Sequence, residues 1–272
     1  MARPFFEPAS PDSLLSLIRN YHFLCVVLDF DGTLAPIRRR PEEARLSSRT
    51  RSLLLGLTRR GGIRVGIISG RSWQDLYSRV MIPELYYGGC HGLEMRGPGL
   101  DFRHPEGEKF RSLMSSLAAR LRSQIGGIPG ALVEDKGLAV SLHYRSVSRG
   151  KIPSLRHAFY RCLAGYESEL EVVAGKEVLE IRPRLSWHKG KALLFLLDHL
   201  ALVEGGPPFC FYLGDDRTDE DAFCTLAEAG QGVAIRVGGA SPTAASYRLR
   251  GIGEVQMFLR WIRGGFGPRG LT

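Results

Sequence analysis

The sequence predicts an α/β fold: a parallel sheet flanked by helices and interrupted by a smaller inserted α/β unit. Three observations carry this. Short apolar runs (Val26-Val27-Leu28, Ile63 to Ile68, Phe209 to Leu213) alternate with segments of helical periodicity. Such continuous runs are buried on both faces, as in parallel sheets. Each run ends in turn-forming polar residues, Asp29-Phe30-Asp31-Gly32, Ser69-Gly70 and Gly214-Asp215-Asp216, where open α/β sheets place their sites. Between them lies a stretch of paired short strands and two helices, which reads as an insertion.

The elements follow in order. Pro11 to Tyr21 reads as a short amphipathic helix. The strand ending at Leu28 follows, then a helix over 42–60 and the strand Ile63 to Ile68. Trp73 to Val80 is helical, Leu85 to Gly88 a strand, and Arg96-Gly97-Pro98-Gly99 a turn. A long helix runs from Pro105 to about Gln124, with Phe110, Leu113, Met114, Leu117 and Leu121 on one face. Gly126 to Gly130 breaks it. Strands at Ala131–Glu134 and Leu138–Tyr144, a helix from Ile152 to Tyr166, and strands at Leu170–Val173 and Val178–Ile181 complete the insertion. A helix opens at Lys189, the strand 209–213 follows, and a helix starts near Thr218. Gly232–Val237 and Tyr247–Leu249 are strands, Glu254–Arg263 is a helix, and 264–270 reads as a loose tail.

Composition narrows the class. The chain has 272 residues, 44% hydrophobic and 24% charged, enough for a substantial core. Its net charge of +9 comes from 37 Lys+Arg against 28 Asp+Glu. The basic residues are dispersed, with no aromatic-rich basic motif, so they read as solvated faces with a field that attracts an anionic substrate. No nucleic-acid partner is expected. Cys25, Cys90, Cys162, Cys210 and Cys224 are odd in number and lack metal spacing, which fits a reducing cytoplasm. Met1 to Ser10 has no apolar leader core, and no apolar run could span a bilayer, so neither secretion nor a membrane is expected.

The acidic clusters carry the chemistry. Asp29 and Asp31 sit at a strand end, and Gly32 lets the backbone approach an anion. Alone, the pair also fits an Asx turn. Asp215, Asp216, Asp219, Glu220 and Asp221 place five carboxylates within seven residues. That is costly unless a cation or a helix N-terminus offsets them. Hard oxygen donors without Cys or His suit magnesium. The two clusters can meet only if their strands are neighbours in one sheet. Ser69-Gly70 can offer a hydroxyl and backbone amides to phosphate, or be an ordinary turn. Lys189, at a helix start, can balance a phosphoryl group or be a solvated lysine.

Together, Asp29-Phe30-Asp31-Gly32-Thr33, Ser69, Lys189 and Gly214-Asp215-Asp216 resemble, in order, the four motifs of the haloacid dehalogenase-like (HAD) phosphatase superfamily. The resemblance extends to trehalose-6-phosphate phosphatases. It rests on Leu28 to Ile37, Ser69-Gly70-Arg71, Gly89 to Glu94, and Tyr212 to Phe223. Val133 to Lys136, Leu142 to Arg145 and Gly175 to Pro183 are similar to that family's substrate-reading segments.

The resemblance implies a Rossmann-like HAD core over 1–103 and 184–272, with an inserted α/β cap over 104–183. It implies hydrolysis of trehalose 6-phosphate, the last step of trehalose biosynthesis. Asp29 is then the nucleophile, Asp31 the acid and base, and Ser69 and Lys189 the phosphoryl holders. Mg2+ is bound by Asp29, Asp215 and the Asp31 carbonyl. Asp216 and Asp219 support the site or bind metal through water. Gly32, Thr33, Arg71, His91, Glu134, Lys136, Arg145, Lys176 and Glu180 are the implied substrate-binding residues. His91 reads equally as a turn residue, and Glu134–Lys136 and Lys176–Glu180 also read as surface ion pairs. A functional link to a trehalose-6-phosphate synthase follows. The same motifs also fit a phosphatase or mutase for another sugar phosphate, such as sucrose 6-phosphate or mannosyl-phosphoglycerate.

Overall fold

Strand β2 (Leu24–Leu28) lies in the middle of the main sheet, and the sheet order explains why the two acidic clusters meet. In the computed structural model, which describes residues 2–6, 14, 18, 21, 23–38, 40–175, 177–239 and 242–265, β2 runs parallel to two neighbours. On one side is β11 (Phe209–Gly214), with Leu28 opposite Leu213. On the other is β3 (Ile63–Ile68), with Leu28 opposite Ile67. Beyond β3 come β4 (Tyr86–Gly89), parallel, and β5 (Glu94–Gly97), antiparallel, then β6 (Leu100–Arg103). Beyond β11 lie β12 (Gly232–Val237), β13 (Tyr247–Leu249) and β1 (Arg3–Pro4), all parallel.

Alternation along the strands divides the core into two layers. Leu24, Val26, Leu28, Phe211 and Leu213 pack with Leu54, Leu57, Leu76, Phe258 and Ile262. These come from helices Ser48–Thr58, Trp73–Val80 and Ile252–Gly265. Phe258 stands edge-on to both Phe5 and Phe211, with ring centroids 5.2 Å apart in each case. Burying each such side chain contributes about 1.5–3 kcal/mol. On the opposite face, Tyr212 meets Phe223 edge-on. Gly66 faces Leu196 at a spot where a Cβ would come within 3.0 Å. Helices Lys189–Glu204 and Arg217–Ala229 form that layer.

The chain divides into two compact units, residues 1–101 with 187–272, and residues 102–186. The second carries an antiparallel sheet ordered β7 (Leu132–Asp135), β8 (Val140–His143), β10 (Val178–Pro183), β9 (Leu170–Gly175). Leu117, Leu121, Leu155 and Phe159 of helices Arg111–Ile125 and Ile152–Leu163 share its core with Val140, Leu142, Leu179 and Ile181.

Several expectations are corrected. The helix expected over 42–60 begins only at Ser48, because Ser47 Oγ caps it by accepting from the Thr50 amide. Pro41–Glu43 is a separate 3-10 turn, and the Glu42 and Ala44 carbonyls accept from Arg79 instead of continuing a helix. The helix expected from Pro105 splits into Pro105–Glu108 and Arg111–Ile125, with Gly107, a poor helix former, in the first piece. Strands β1, β5 and β6 were not expected. The helix expected over Pro11–Tyr21 falls mostly outside the described residues, although Leu14 and Ile18 are buried; so does the tail beyond Gly265. All five cysteines are free thiols. Among the described residues, no helix is long and apolar enough to cross a membrane.

Candidate active site

Asp29 is the first residue past β2, and its amide donates to the Leu213 carbonyl at 2.8 Å. That bond extends the β2–β11 ladder and brings Asp29 beside the turn that carries Asp215. After Asp29 the chain folds back on itself. Gly32 donates to Ala35 O at 2.7 Å, and Leu34 and Ala35 both donate to Phe30 O. Gly32 adopts φ +85°, and a Cβ there would lie 2.1 Å from Asp215 Oδ2. The turn therefore needs glycine twice over, for its backbone and for the close approach of Asp215. Thr33 is buried, and its hydroxyl donates to Asp215 Oδ1 at 3.4 Å.

Lys189 begins its helix with 2% of its surface exposed. Its Nζ donates to Asp29 Oδ1 and to Asp219 Oδ1, each at 2.7 Å. Asp219 has no free side: Oδ1 also accepts from Tyr212 OH at 2.9 Å, and Oδ2 accepts from the Asp215 and Asp216 amides at 2.9 and 3.0 Å. Asp216 does a different job. Its Oδ1 caps helix Arg217–Ala229 by accepting from the Thr218 amide and hydroxyl and from the Asp219 amide. The two residues that the sequence left undivided thus separate: Asp219 holds the lysine, and Asp216 starts the helix.

Negative charge outweighs positive charge at this point. Burial, together with the Asp219, Asp215 and Asp216 charges, pushes Asp29 well above the usual carboxylate range, although Lys189 opposes the shift. Burial and the Asp219 and Asp216 charges raise Asp215 to about 7. Lys189 itself stays charged, because Asp219 and Asp29 overcome the cost of burying it. For Asp216, burial opposes ionisation, but Lys189, the Thr218 hydrogen bond and His91 outweigh it and hold the group at about 2.

Asp29, Asp215 and Asp219 each place a carboxylate oxygen within 4.8 Å of the others. A surplus of hard oxygen donors around one ammonium fits a divalent cation. Because Asp219 is saturated by internal partners, Asp29 and Asp215 are the side chains that fit as ligands.

On the other flank, Ser69 is buried; its amide donates to Gly88 O and its Oγ accepts from the Arg71 amide at 3.3 Å. His91, with φ +59°, donates its amide to Ser69 O and lays its ring over Gly70, where a Cβ would meet the ring at 3.0 Å. Arg71, expected among the substrate-binding residues, has its guanidinium on Asp31 and Asp75. Its Nε and Nη2 grip Asp31 at 2.6 and 2.8 Å, its Nη1 binds Asp75 at 2.6 Å, and Nη2 also reaches Pro41 O. The i,i+4 spacing of Arg71, Asp75 and Arg79 was the available signal for this chain of ion pairs.

In the second unit, Lys136 and Glu180 form a buried pair at 2.6 Å, and Ser141 Oγ donates to the same Glu180 oxygen at 3.0 Å. Both residues are buried, so this contact is not a surface pair. Glu134 meets His143 at 2.8 Å, and Arg145 meets Glu177 at 2.7 Å. Lys176 lies outside the described residues.

The chain is similar to known proteins over most of its length. The trehalose-phosphatase family model matches residues 27–252. "Probable trehalose-phosphate phosphatase 3" of Oryza sativa subsp. japonica is 37% identical over 253 residues, covering 87% of this chain and 68% of its own length. "Trehalose-phosphate phosphatase" of Mycobacterium marinum is 37% identical over 238 residues, covering 86% and 60%. The solved C-terminal domain of C. albicans trehalose-6-phosphate phosphatase superposes with a TM-score of 0.77 at 23% identity, covering 98% of this chain and all of that one.

Proposed function

The chain belongs to the trehalose-phosphatase family, and from that premise we propose that it is a magnesium-dependent phosphatase. Its reaction is hydrolysis of trehalose 6-phosphate to trehalose and inorganic phosphate through a phosphoryl group carried on Asp29. The observation that carries the reading is the bridge from Lys189 to both Asp29 and Asp219, with Asp215 beside them at the end of a neighbouring strand.

Lys189 occupies Asp29 Oδ1, which leaves Oδ2 as the oxygen that attacks phosphorus. The bond from Asp29 to phosphorus forms as the bond from phosphorus to the sugar oxygen breaks. Asp31 gives a proton to the departing oxygen and later takes one from the water that attacks the phosphorylated Asp29. Ser69 Oγ and Lys189 Nζ hold the phosphoryl oxygens during both transfers. Asp29, Asp215 and the Asp31 main-chain carbonyl would hold Mg2+. When bound, the cation offsets the charge on the phosphoryl group.

Sugar reading is assigned to the unit expected over 104–183, where Glu134, Lys136, Arg145, Lys176 and Glu180 supply carboxylates and cations for hydroxyl recognition. His91, Gly32 and Thr33 are assigned to the phosphate side. A synthase making trehalose 6-phosphate would supply the substrate, and the five free thiols match a reducing cytoplasm.

The test is release of inorganic phosphate from trehalose 6-phosphate, sucrose 6-phosphate and glucose 6-phosphate, with Mg2+ or with EDTA. The reading expects Mg2+-dependent turnover with trehalose 6-phosphate strongly favoured. Equal turnover of all three would remove the substrate assignment, and full turnover in EDTA would remove the metal.

A further inference from the structure

Asp31 is asked to deliver a proton, yet Asp is a short side chain with two rotatable bonds at the edge of a turn. Its side chain is 36% exposed, so packing does not fix it. What fixes it is Arg71. The guanidinium meets both Asp31 oxygens in a fork, Nε to Oδ2 at 2.6 Å and Nη2 to Oδ1 at 2.8 Å. A two-point contact of this kind sets the plane of the carboxylate as well as its position.

Arg71 is itself immobile. It is 6% exposed, with its third nitrogen on Asp75 Oδ2 at 2.6 Å and a further bond to Pro41 O at 2.9 Å. Its guanidinium also lies 5.3 Å from the centre of the Phe30 ring. Asp75 is braced in turn by a second fork from Arg79, at 2.7 and 2.6 Å. The series Asp31–Arg71–Asp75–Arg79 therefore ties the proton-transfer carboxylate to helix Trp73–Val80. Each Asp31 oxygen spends one lone pair on Arg71 and keeps another for a proton.

We propose that Arg71 is the positioning residue of the phosphoryl transfer, fixing the Asp31 carboxyl so that its proton reaches the leaving oxygen. The inference rests on the phosphatase reading above and deepens it. Asp29 gains the bond to phosphorus, the bridging oxygen leaves with the electron pair, and the Asp31 proton moves to that oxygen. A poor leaving group such as a sugar alkoxide needs the proton; p-nitrophenolate does not. A misplaced Asp31 should therefore damage one reaction and spare the other, which loss of a phosphate-binding or structural residue would not do.

The experiment compares kcat/KM for trehalose 6-phosphate and for p-nitrophenyl phosphate in the wild type, Arg71→Met and Arg71→Lys, each with Mg2+. This ratio reports the steps up to departure of the leaving group. Arg71→Met is expected to lose about 100-fold on the sugar phosphate, and less than about threefold on the aryl ester. Arg71→Lys keeps the charge without the fork and should show the same inequality more weakly; it carries the test if the Met variant does not fold. In an Asp31→Asn background, Arg71→Met should cost less than about twofold more.

Equal losses on both esters, or a full further loss in the Asp31→Asn background, would overturn the proposal. If the wild type hydrolyses p-nitrophenyl phosphate but not trehalose 6-phosphate, the substrate assignment alone falls. Phenyl phosphate then replaces the sugar phosphate as the poor leaving group in the same comparison.

Discussion

Lys189 Nζ lies 2.7 Å from Asp29 Oδ1, in a position from which water is almost entirely excluded. A second carboxylate, Asp219, pins the ammonium from the other side at the same distance. Removing the cation would leave the two carboxylates facing one another without compensation. Lys189→Met should therefore abolish phosphate release by more than about 1,000-fold and cost about 3–5 kcal/mol of stability. Lys189→Arg should not rescue it, since a planar fork is a poor substitute for a point charge between two carboxylates. Phosphate release and urea denaturation on the same preparations check both halves. Wild-type turnover in the Met variant would refute the assignment of Lys189.

The raised carboxylates give the metal-free protein an unusual dependence on pH. Asp215 titrates at about 7 in the folded state, while an unfolded Asp releases its proton near pH 4. Asp29 is shifted in the same direction. Between those limits the folded chain binds more protons than the unfolded one. Stability should therefore fall as pH rises from about 4 to about 7. Lys189 and Asp216 add no slope there, because Lys189 is raised above its ordinary alkaline range and Asp216 titrates at about 2. Added Mg2+ should flatten the slope, and its binding at pH 6 should release protons. Thermal midpoints from pH 5 to 8 in EDTA and in Mg2+, with calorimetry in two buffers, measure this. Stability that rises across the window in EDTA would contradict this charge balance.

Strands β2, β3 and β11 were legible in the sequence because they are short, mostly apolar runs that stop at acids or at Ser69-Gly70. Their adjacency was legible only as a condition for the acids to meet. Strands β5 and β6 were not legible, since each has four residues and they flank Pro98-Gly99. The partners of Arg71 were hidden for another reason. Asp31 is 40 residues away, and nothing in a linear sequence says that the loop after β2 folds over the start of helix Trp73–Val80. The same holds for Lys136 and Glu180, 44 residues apart, which meet because β10 inserts between β8 and β9.

Gly32 tests how closely the first and fourth motifs must approach. Its φ of +85° strains any other residue, and a Cβ would collide with Asp215. Gly32→Ala should cost about 1–3 kcal/mol from the backbone alone. It should also push Asp215 away from Asp29 and weaken Mg2+ binding by more than tenfold. Calorimetric titration of the folded variant reads the second effect separately from the first. Unchanged Mg2+ affinity would mean that Asp215 does not serve as a ligand from this position.

Lys136 and Glu180 lie inside the second unit, and their mutual contact makes a prediction that plain sugar recognition does not. Ser141 also donates to Glu180. Lys136→Met takes a cation from the buried Glu180 carboxylate and should destabilise the protein by about 3–5 kcal/mol. Adding Glu180→Leu removes that carboxylate as well, and hydrophobic replacement of a whole buried pair is often neutral. The double variant should therefore recover most of the lost stability while leaving trehalose 6-phosphate turnover impaired, because two of the groups proposed to read the sugar hydroxyls are gone. Denaturation and kinetics must be read together. If stability stays lost in the double variant, the pair matters to folding in its own right. If both stability and turnover return, neither residue reads the sugar.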